Sequence, residues 1–186
     1  MSARHSSNVL RAITTNQRRA GPIQIKNFKD MYIAELQELA NMVSQIDIAL
    51  KRMAAASSHP SLKRELLRHR AETKEQSKRL QSILQNHGAK LRAHTDQAME
   101  ALVSETQKML SLLEGDDLRD AGLIASAQKL EHYEIAAYGT AAALAGQLDL
   151  RDDQRMLHDS LEEERKADAA LTELAKGEVN QDAAAA

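Results

Sequence analysis

Apolar positions recur in steps of three and four along most of the chain, and the recurrence predicts five helical segments. From about 27 to 56, Leu36, Leu39, Val43, Ile46, Leu50 and Met53 form a stripe on one helical face. Ser58-His59-Pro60 breaks this segment, with Ser58 or Ser61 able to cap the next. From about 61 to 87 the inner stripe runs Leu62, Leu66, His69, Glu72 or Thr73, Gln76, Leu80 and Ile83, and Gly88 ends it. A shorter amphipathic piece, about 96 to 113, carries Met99, Leu102, Val103, Thr106, Met109, Leu110 and Leu113. Gly115-Asp116-Asp117 closes it and opens the fourth segment, about 117 to 146, with Leu123, Ala127, Leu130, Glu131, Glu134, Tyr138 and Ala141. The fifth, about 151 to 176, presents Leu157, Leu161, Glu164, Asp168, Leu171 and Leu174 or Ala175, with Gly177 as its expected stop.

Short connections join the first segment to the second and the fourth to the fifth, while the long stretch from Gly88 to Gly115 joins the second to the fourth. Two hairpins linked by one long crossover make the ferritin-like form of a four-helix bundle, here with an additional short helix in the crossover. Composition agrees with an all-α fold. Two Pro and seven Gly among 186 residues leave few chain breaks, and the chain is rich in Ala, Leu, Glu, Gln, Lys and Arg.

Charge and composition then narrow the chemistry. The absence of Cys excludes disulfides, Cys-ligated zinc, iron–sulfur clusters and thiol catalysis. A net charge of -2 and 2% aromatic residues offer no general argument for nucleic-acid binding. No apolar run has the length of a membrane span or a signal peptide, so the expected setting is cytoplasmic. Residues 1–26 read as a separate arm: Arg4, Arg11, Arg18, Arg19 and Lys26 precede the first acidic residue, Asp30. The arm is expected to be a disordered, solvated tail, with weak nucleic-acid or acidic-partner contact as the other reading. The bundle is expected to occupy 27–177, and 178–186 to form a frayed C-terminal tail.

The functional signal lies in polar residues at positions that should be apolar. The stripe breaks near mid-helix at His69, Glu72 and Gln76, again at Glu131 and Glu134, and again at Glu164 and Asp168. Spacings of i, i+3 and i, i+4 point each pair the same way. Glu-x-x-Glu alone is common on solvated helices, and Glu162-Glu163-Glu164-Arg165-Lys166 could be read as a solvated charge run. Coincidence of phase on three helices changes that reading. Buried carboxylates repel one another unless protons or cations are supplied, so the pattern argues for a carboxylate-rich metal site of the kind iron or manganese occupy. The candidate ligands are Glu72, Glu131, Glu134 and Glu164, with His69 and Asp168 as ligands or close supports. His132 falls off the stripe; His59, His87, His94 and His158 sit near helix ends or face outward. Tyr138 is expected to pack in the core with a partner for its hydroxyl.

These residues also carry a resemblance. From about Phe28 to Ala175 the chain is similar to the YciE/YciF group of ferritin-like bacterial stress proteins. The densest match runs from Ala121 to Thr140 around Glu131-His132-Tyr133-Glu134-Ile135-Ala136, followed by Tyr138-Gly139. His69-x-x-Glu72-Thr73-x-x-Gln76 resembles the group's second motif, and Leu161 to Leu174 its last helix. The resemblance implies a rubrerythrin-like bundle, a homodimer and a dinuclear metal centre. One departure matters. The group's first helix carries Leu-Tyr-x-Ala-Glu, whose Glu is a ligand, and ungapped alignment puts Val43 at that Glu and Ala40 at the Tyr. Glu35 and Glu38 lie on other faces and do not substitute.

Two functions are therefore expected. One is a stress-associated protein whose core metal site oxidises iron or handles peroxide, with its first-helix ligand missing. The other is a non-catalytic helical stress or interaction module that has lost metal chemistry, its inner polar residues forming a hydrogen-bonded network.

Overall fold

The first four predicted helices begin at a capping side chain or a glycine, and the fifth has no side-chain cap. The computed structural model describes residues 25–90 and 95–186, so most of the N-terminal arm, and His94, lie outside the described residues. Helix α1 (Phe28–Ala56) starts at Asn27, whose side chain accepts from the Asp30 amide at 2.8 Å. Helix α3 (Gln97–Leu112) starts at Asp96, which accepts from the Met99 amide at 2.9 Å. Helix α4 (Asp116–Gln147) starts after Gly115, whose φ of 87° only glycine adopts without strain.

Helix α2 (Pro60–Asn86) departs from expectation at its cap. The capping atom is His59 Nδ1, 3.4 Å from the Leu62 amide, rather than a serine hydroxyl. Pro60 at the first helical position sets the cap at His59, two residues earlier than Ser61. The Ser58 and His59 amides are meanwhile held by the Asp120 carboxylate of α4, at 3.1 and 2.7 Å.

Helix α5 (Arg151–Leu174) corrects a second expectation. Gly177 does not stop it: the chain continues through a π-helical turn, Ala175–Val179, into α6 (Asn180–Ala185). Leu171, Ala175 and Val179 follow one another at four-residue steps and are all buried, Val179 to 2% exposure. Burying that stripe against α4 outweighs the roughly 1 kcal/mol by which glycine disfavours a helix. The segment after 177 is therefore helical and docked through Val179, while Glu178 and most of 180–186 are solvent-exposed.

The helices pack as two hairpins, α1 on α2 and α4 on α5, closed side to side by α1–α4 and α2–α5 contacts, while α3 crosses over α4 and α1. This is the ferritin-like four-helix arrangement with a short helix in the crossover. Each inner stripe feeds one continuous apolar core that includes Leu36, Val43, Ile46, Leu66, Leu80, Leu123, Leu130 and Leu157. No described helix is long and apolar enough to cross a membrane.

One end of the bundle is fastened by a polar trio that the sequence pattern did not reveal. Asp153 Oδ2, in the first turn of α5, accepts from the Tyr32 hydroxyl of α1 at 2.9 Å and lies 2.6 Å from His87 Nε2 at the end of α2. Tyr32 and His87 also meet edge to face, with ring centroids 5.8 Å apart. Burial and the Asp153 carboxylate push the Tyr32 hydroxyl well above its ordinary pKa, which keeps it a donor. Asp153→Ala is expected to destabilise the fold by about 1–3 kcal/mol, because it orphans a fully buried hydroxyl. Tyr32→Phe should cost less, since Asp153 keeps His87. Thermal melting reads the difference at about 2–4 °C per kcal/mol for a chain of this size.

Candidate metal centre

Four side chains from three helices meet in the centre of the bundle. His69 comes from α2, Glu131 and Glu134 from α4, and Glu164 from α5. All four are no more than 2% exposed. His69 Nε2 lies 3.1 Å from Glu131 Oε1, 3.4 Å from Glu164 Oε2 and 3.9 Å from Glu134 Oε2. One ligand atom from each of the four can be chosen so that all lie within 4.8 Å of one another. Thr73, one turn beyond His69, spends its hydroxyl on the His69 carbonyl at 3.0 Å and adds no donor to the centre.

Of the six candidate residues, Glu72 and Asp168 stand apart. Glu72 is 29% exposed at its side chain, and one of its oxygens accepts from Arg68 Nη1 at 2.5 Å. Its other oxygen lies 3.8 Å from His69 Nδ1, the ring nitrogen that does not face the three carboxylates. Asp168 is turned away: it accepts from Gln128 at 3.1 Å and lies 3.8 Å from the exposed His132. The helical phase of Asp168, four residues after Glu164, carries it to the edge of the α4–α5 groove.

Around Glu164 the structure places a chain of fixed partners. Gln76 Nε2 donates a short hydrogen bond to Glu164 Oε1 and a second, at 3.1 Å, to Glu163. The Tyr138 hydroxyl donates to Gln76 Oε1 at 3.1 Å, which sets the orientation of the amide. Arg79 clamps Glu163 through two bonds of 2.7 and 2.6 Å. Glu163, inside a charge run, is thus a structural anchor, and Gln76 was marked in the sequence by its polar character in the apolar phase and by its place in the second motif.

The remaining donors of the centre are left unmatched. Among the described residues, every buried side-chain N or O atom without a hydrogen-bond partner belongs to His69, Glu72, Glu131, Glu134 or Glu164. The 3.1 Å approach of His69 Nε2 to Glu131 is close enough for ion pairing but is not aligned as a hydrogen bond. Burial raises the Glu134 carboxyl to about 7, with the neighbouring Glu131 adding to the rise and His69 opposing it. Glu164 is also pushed well above the usual carboxylate range, first by burial and then by Glu134. Burial pulls His69 down, but the attraction of Glu131 and contacts with Glu134 and Glu72 outweigh it and hold the imidazolium well above its ordinary pKa. Glu72 is lowered, chiefly by His69. A buried set of one imidazole and three carboxylates with unspent lone pairs could hold a metal ion.

Comparison with known proteins gives a consistent picture. A family model described as "Domain of unknown function (DUF892)" matches residues 27–184. Protein YciF from Escherichia coli (strain K12) is 37% identical over 162 residues, covering 87% of this chain and 98% of that protein. The crystal structure of the E. coli stress protein YciF superposes with a TM-score of 0.80 at 38% identity, covering 84% of this chain and 99% of that one. YcfI from Rhodopseudomonas palustris superposes with a TM-score of 0.77 at 31% identity, covering 82% and 96%. A protein from Xanthomonas campestris pv. campestris, 18% identical with a TM-score of 0.66, shares the fold; the match covers 81% of this chain and 92% of that one.

The raised pKa values fix the sign of a pH effect on the metal-free protein. Glu134 and Glu164 hold protons in the folded state that the unfolded chain releases near its ordinary carboxylate pKa. Their contribution is fully present below that value and is lost as pH rises through the folded value, about 7 for Glu134. His69, also raised, loses its contribution as pH rises through its own folded value. Metal-free protein should therefore melt several degrees lower at pH 8 than at pH 5.5. In Glu134→Gln, scanning calorimetry should show a shallower dependence.

Proposed function

The chain belongs to the DUF892 family, and on that premise we propose that it is a YciF-like stress-associated protein whose bundle core binds a divalent ion of iron or manganese. The observation that carries this reading is the concentration of orphaned buried polar atoms in one place. Native interiors leave few such atoms, and each costs about 1–3 kcal/mol or more when charged. A cluster of them around three carboxylates is costly without a cation and favourable with one.

The protein's own groups have definite tasks in this reading. His69, Glu131, Glu134 and Glu164 supply the ion's ligands. Gln76 occupies one oxygen of Glu164 and leaves the other, which has no hydrogen-bond partner, to the centre. Complete burial of the four side chains keeps bulk water from the centre. A bound iron or manganese ion would supply one-electron redox chemistry, and iron oxidation or peroxide removal is the activity proposed. A homodimer and a cytoplasmic setting are carried as parts of the same proposal.

The second reading, a helical stress module without metal chemistry, is favoured by Val43. The two separate in one experiment. Under the metal reading, metal-depleted protein gains thermal stability on anaerobic addition of Fe(II) or Mn(II), about 2.7 kcal/mol when the free ion is a hundredfold above its Kd. The double variant Glu131→Gln, Glu134→Gln should lose that gain. An unchanged melting temperature for the parent at millimolar metal rejects the metal reading and leaves the module.

A further inference from the structure

The donor set is large enough for one ion and too small for two. Resting on the metal reading above, we infer that the centre of this chain is mononuclear: one ion bound by His69, Glu131, Glu134 and Glu164, with Glu72 orienting His69 from outside the coordination sphere.

Size is the first argument. Four ligand atoms, one from each residue, lie within 4.8 Å of one another. Two oxygens on opposite sides of a single ion, each about 2.1 Å from it, are separated by about 4.2 Å, so the set contracts naturally onto one centre. Paired ions stand about 3.5–4 Å apart and need additional donors at both outer ends. Bundles that hold two ions draw a carboxylate from each of two helices and a Glu-x-x-His pair from each of the other two. Here only α2, α4 and α5 contribute to the four-residue cluster.

Helix α1 cannot make up the difference. The Arg70 Nε–Asp47 Oδ1 bond of 2.8 Å fixes the register between α1 and α2. In that antiparallel register Val43, one turn before Asp47, lies level with Thr73 and Lys74, one turn from His69. Val43 is 1% exposed, and its stripe neighbours Leu39, Ile46 and Leu50 are equally buried and apolar. The acidic residues of α1 lie elsewhere. Asp47 is bound to Arg70, and Glu35 feels Glu38 and Asp96 as its charged neighbours. The core stripe of α1 is hydrocarbon.

Glu72 is the remaining carboxylate, and its placement argues for support rather than ligation. Arg68 holds one of its oxygens, and the other faces His69 Nδ1 at 3.8 Å, while Nε2 faces Glu131, Glu134 and Glu164. A carboxylate on one imidazole nitrogen with the metal on the other is a recurrent arrangement, in which the carboxylate fixes the ring and raises its basicity.

The test is stoichiometry. Metal-depleted protein titrated anaerobically with Mn(II) is followed by calorimetry and native mass spectrometry, and the loaded sample by electron paramagnetic resonance. One Mn(II) per chain with the spectrum of an isolated ion is expected. Two per chain with an exchange-coupled spectrum overturns the inference while leaving the metal reading intact. No bound Mn(II) overturns the metal reading and the inference with it. Glu72→Gln should still bind one ion, with affinity reduced about 10–100-fold. Loss of binding in that variant, or affinity equal to the parent's, overturns the role given to Glu72. Val43→Glu should admit a second ion; a folded variant that still binds one overturns Val43 as the limit. If that variant does not fold, parent stoichiometry and Glu72→Gln still decide the proposal.

Discussion

Three carboxylates and one imidazole are buried together, and every pair of them is in electrostatic contact. In such a place the dielectric screening that makes surface charges cheap is missing, and each negative charge raises the cost of the next. The molecule has three ways to relieve this: hold protons on the acids, protonate His69, or bind a cation. The upward shifts of Glu134 and Glu164 and the raised imidazolium are the first two at work together. Both are protonic solutions, and both weaken as pH rises. A divalent ion is the one solution that also uses the unspent lone pairs, which is why the orphaned atoms say more about function than any shift in pKa.

Holding such a centre requires a scaffold that does not relax around it. Carboxylates tie the bundle at several other points, and there each one is satisfied. Asp120 receives the two amides at the α1–α2 turn, Asp96 caps α3 and accepts the Tyr133 hydroxyl, and Asp153 joins α1, α2 and α5. These locks bind each helix to its neighbours through geometry-specific bonds in addition to apolar packing. The contrast is informative. The same residue types that are fully partnered at the rim are unpartnered at the centre, so the unmet donors and acceptors there do not reflect a generally loose fold.

Most of this was legible in the sequence because helical phase is a direct readout of burial. Glu131, Glu134, Glu164 and His69 fall in the apolar stripe, and all four are buried together. Phase fails at its margins. Glu72 and Thr73 compete for one position, and the sequence left open which of them turns inward; in the fold Thr73 is buried and Glu72 stays at the edge with Arg68. Asp168 sits on the same stripe as Glu164, yet it accepts from Gln128, whose amide also donates to Thr172. His87 looked unremarkable at a helix end, because its importance depends on Asp153 sixty-six residues away, a relation with no local signature. Gly177 misled for the opposite reason: a local stop signal lost to a nonlocal apolar contact through Val179.

Val43 shows how the same electrostatic constraint sets capacity. A carboxylate at that position would place a fourth negative charge beside a single imidazole, and without metal the folded state would have to hold a further proton or lose stability. Valine removes that burden and adds apolar surface to the core stripe of α1. The cost falls on the loaded state, because each missing carboxylate removes both a ligand and a charge that could balance a second divalent ion. Three carboxylates offset one divalent ion with one negative charge to spare. Against two divalent ions they would leave a buried positive excess with no carboxylate on α1 to meet it. Stability of the empty bundle and the number of ions it can hold are thus opposed, and this chain has settled on the side of the stable bundle.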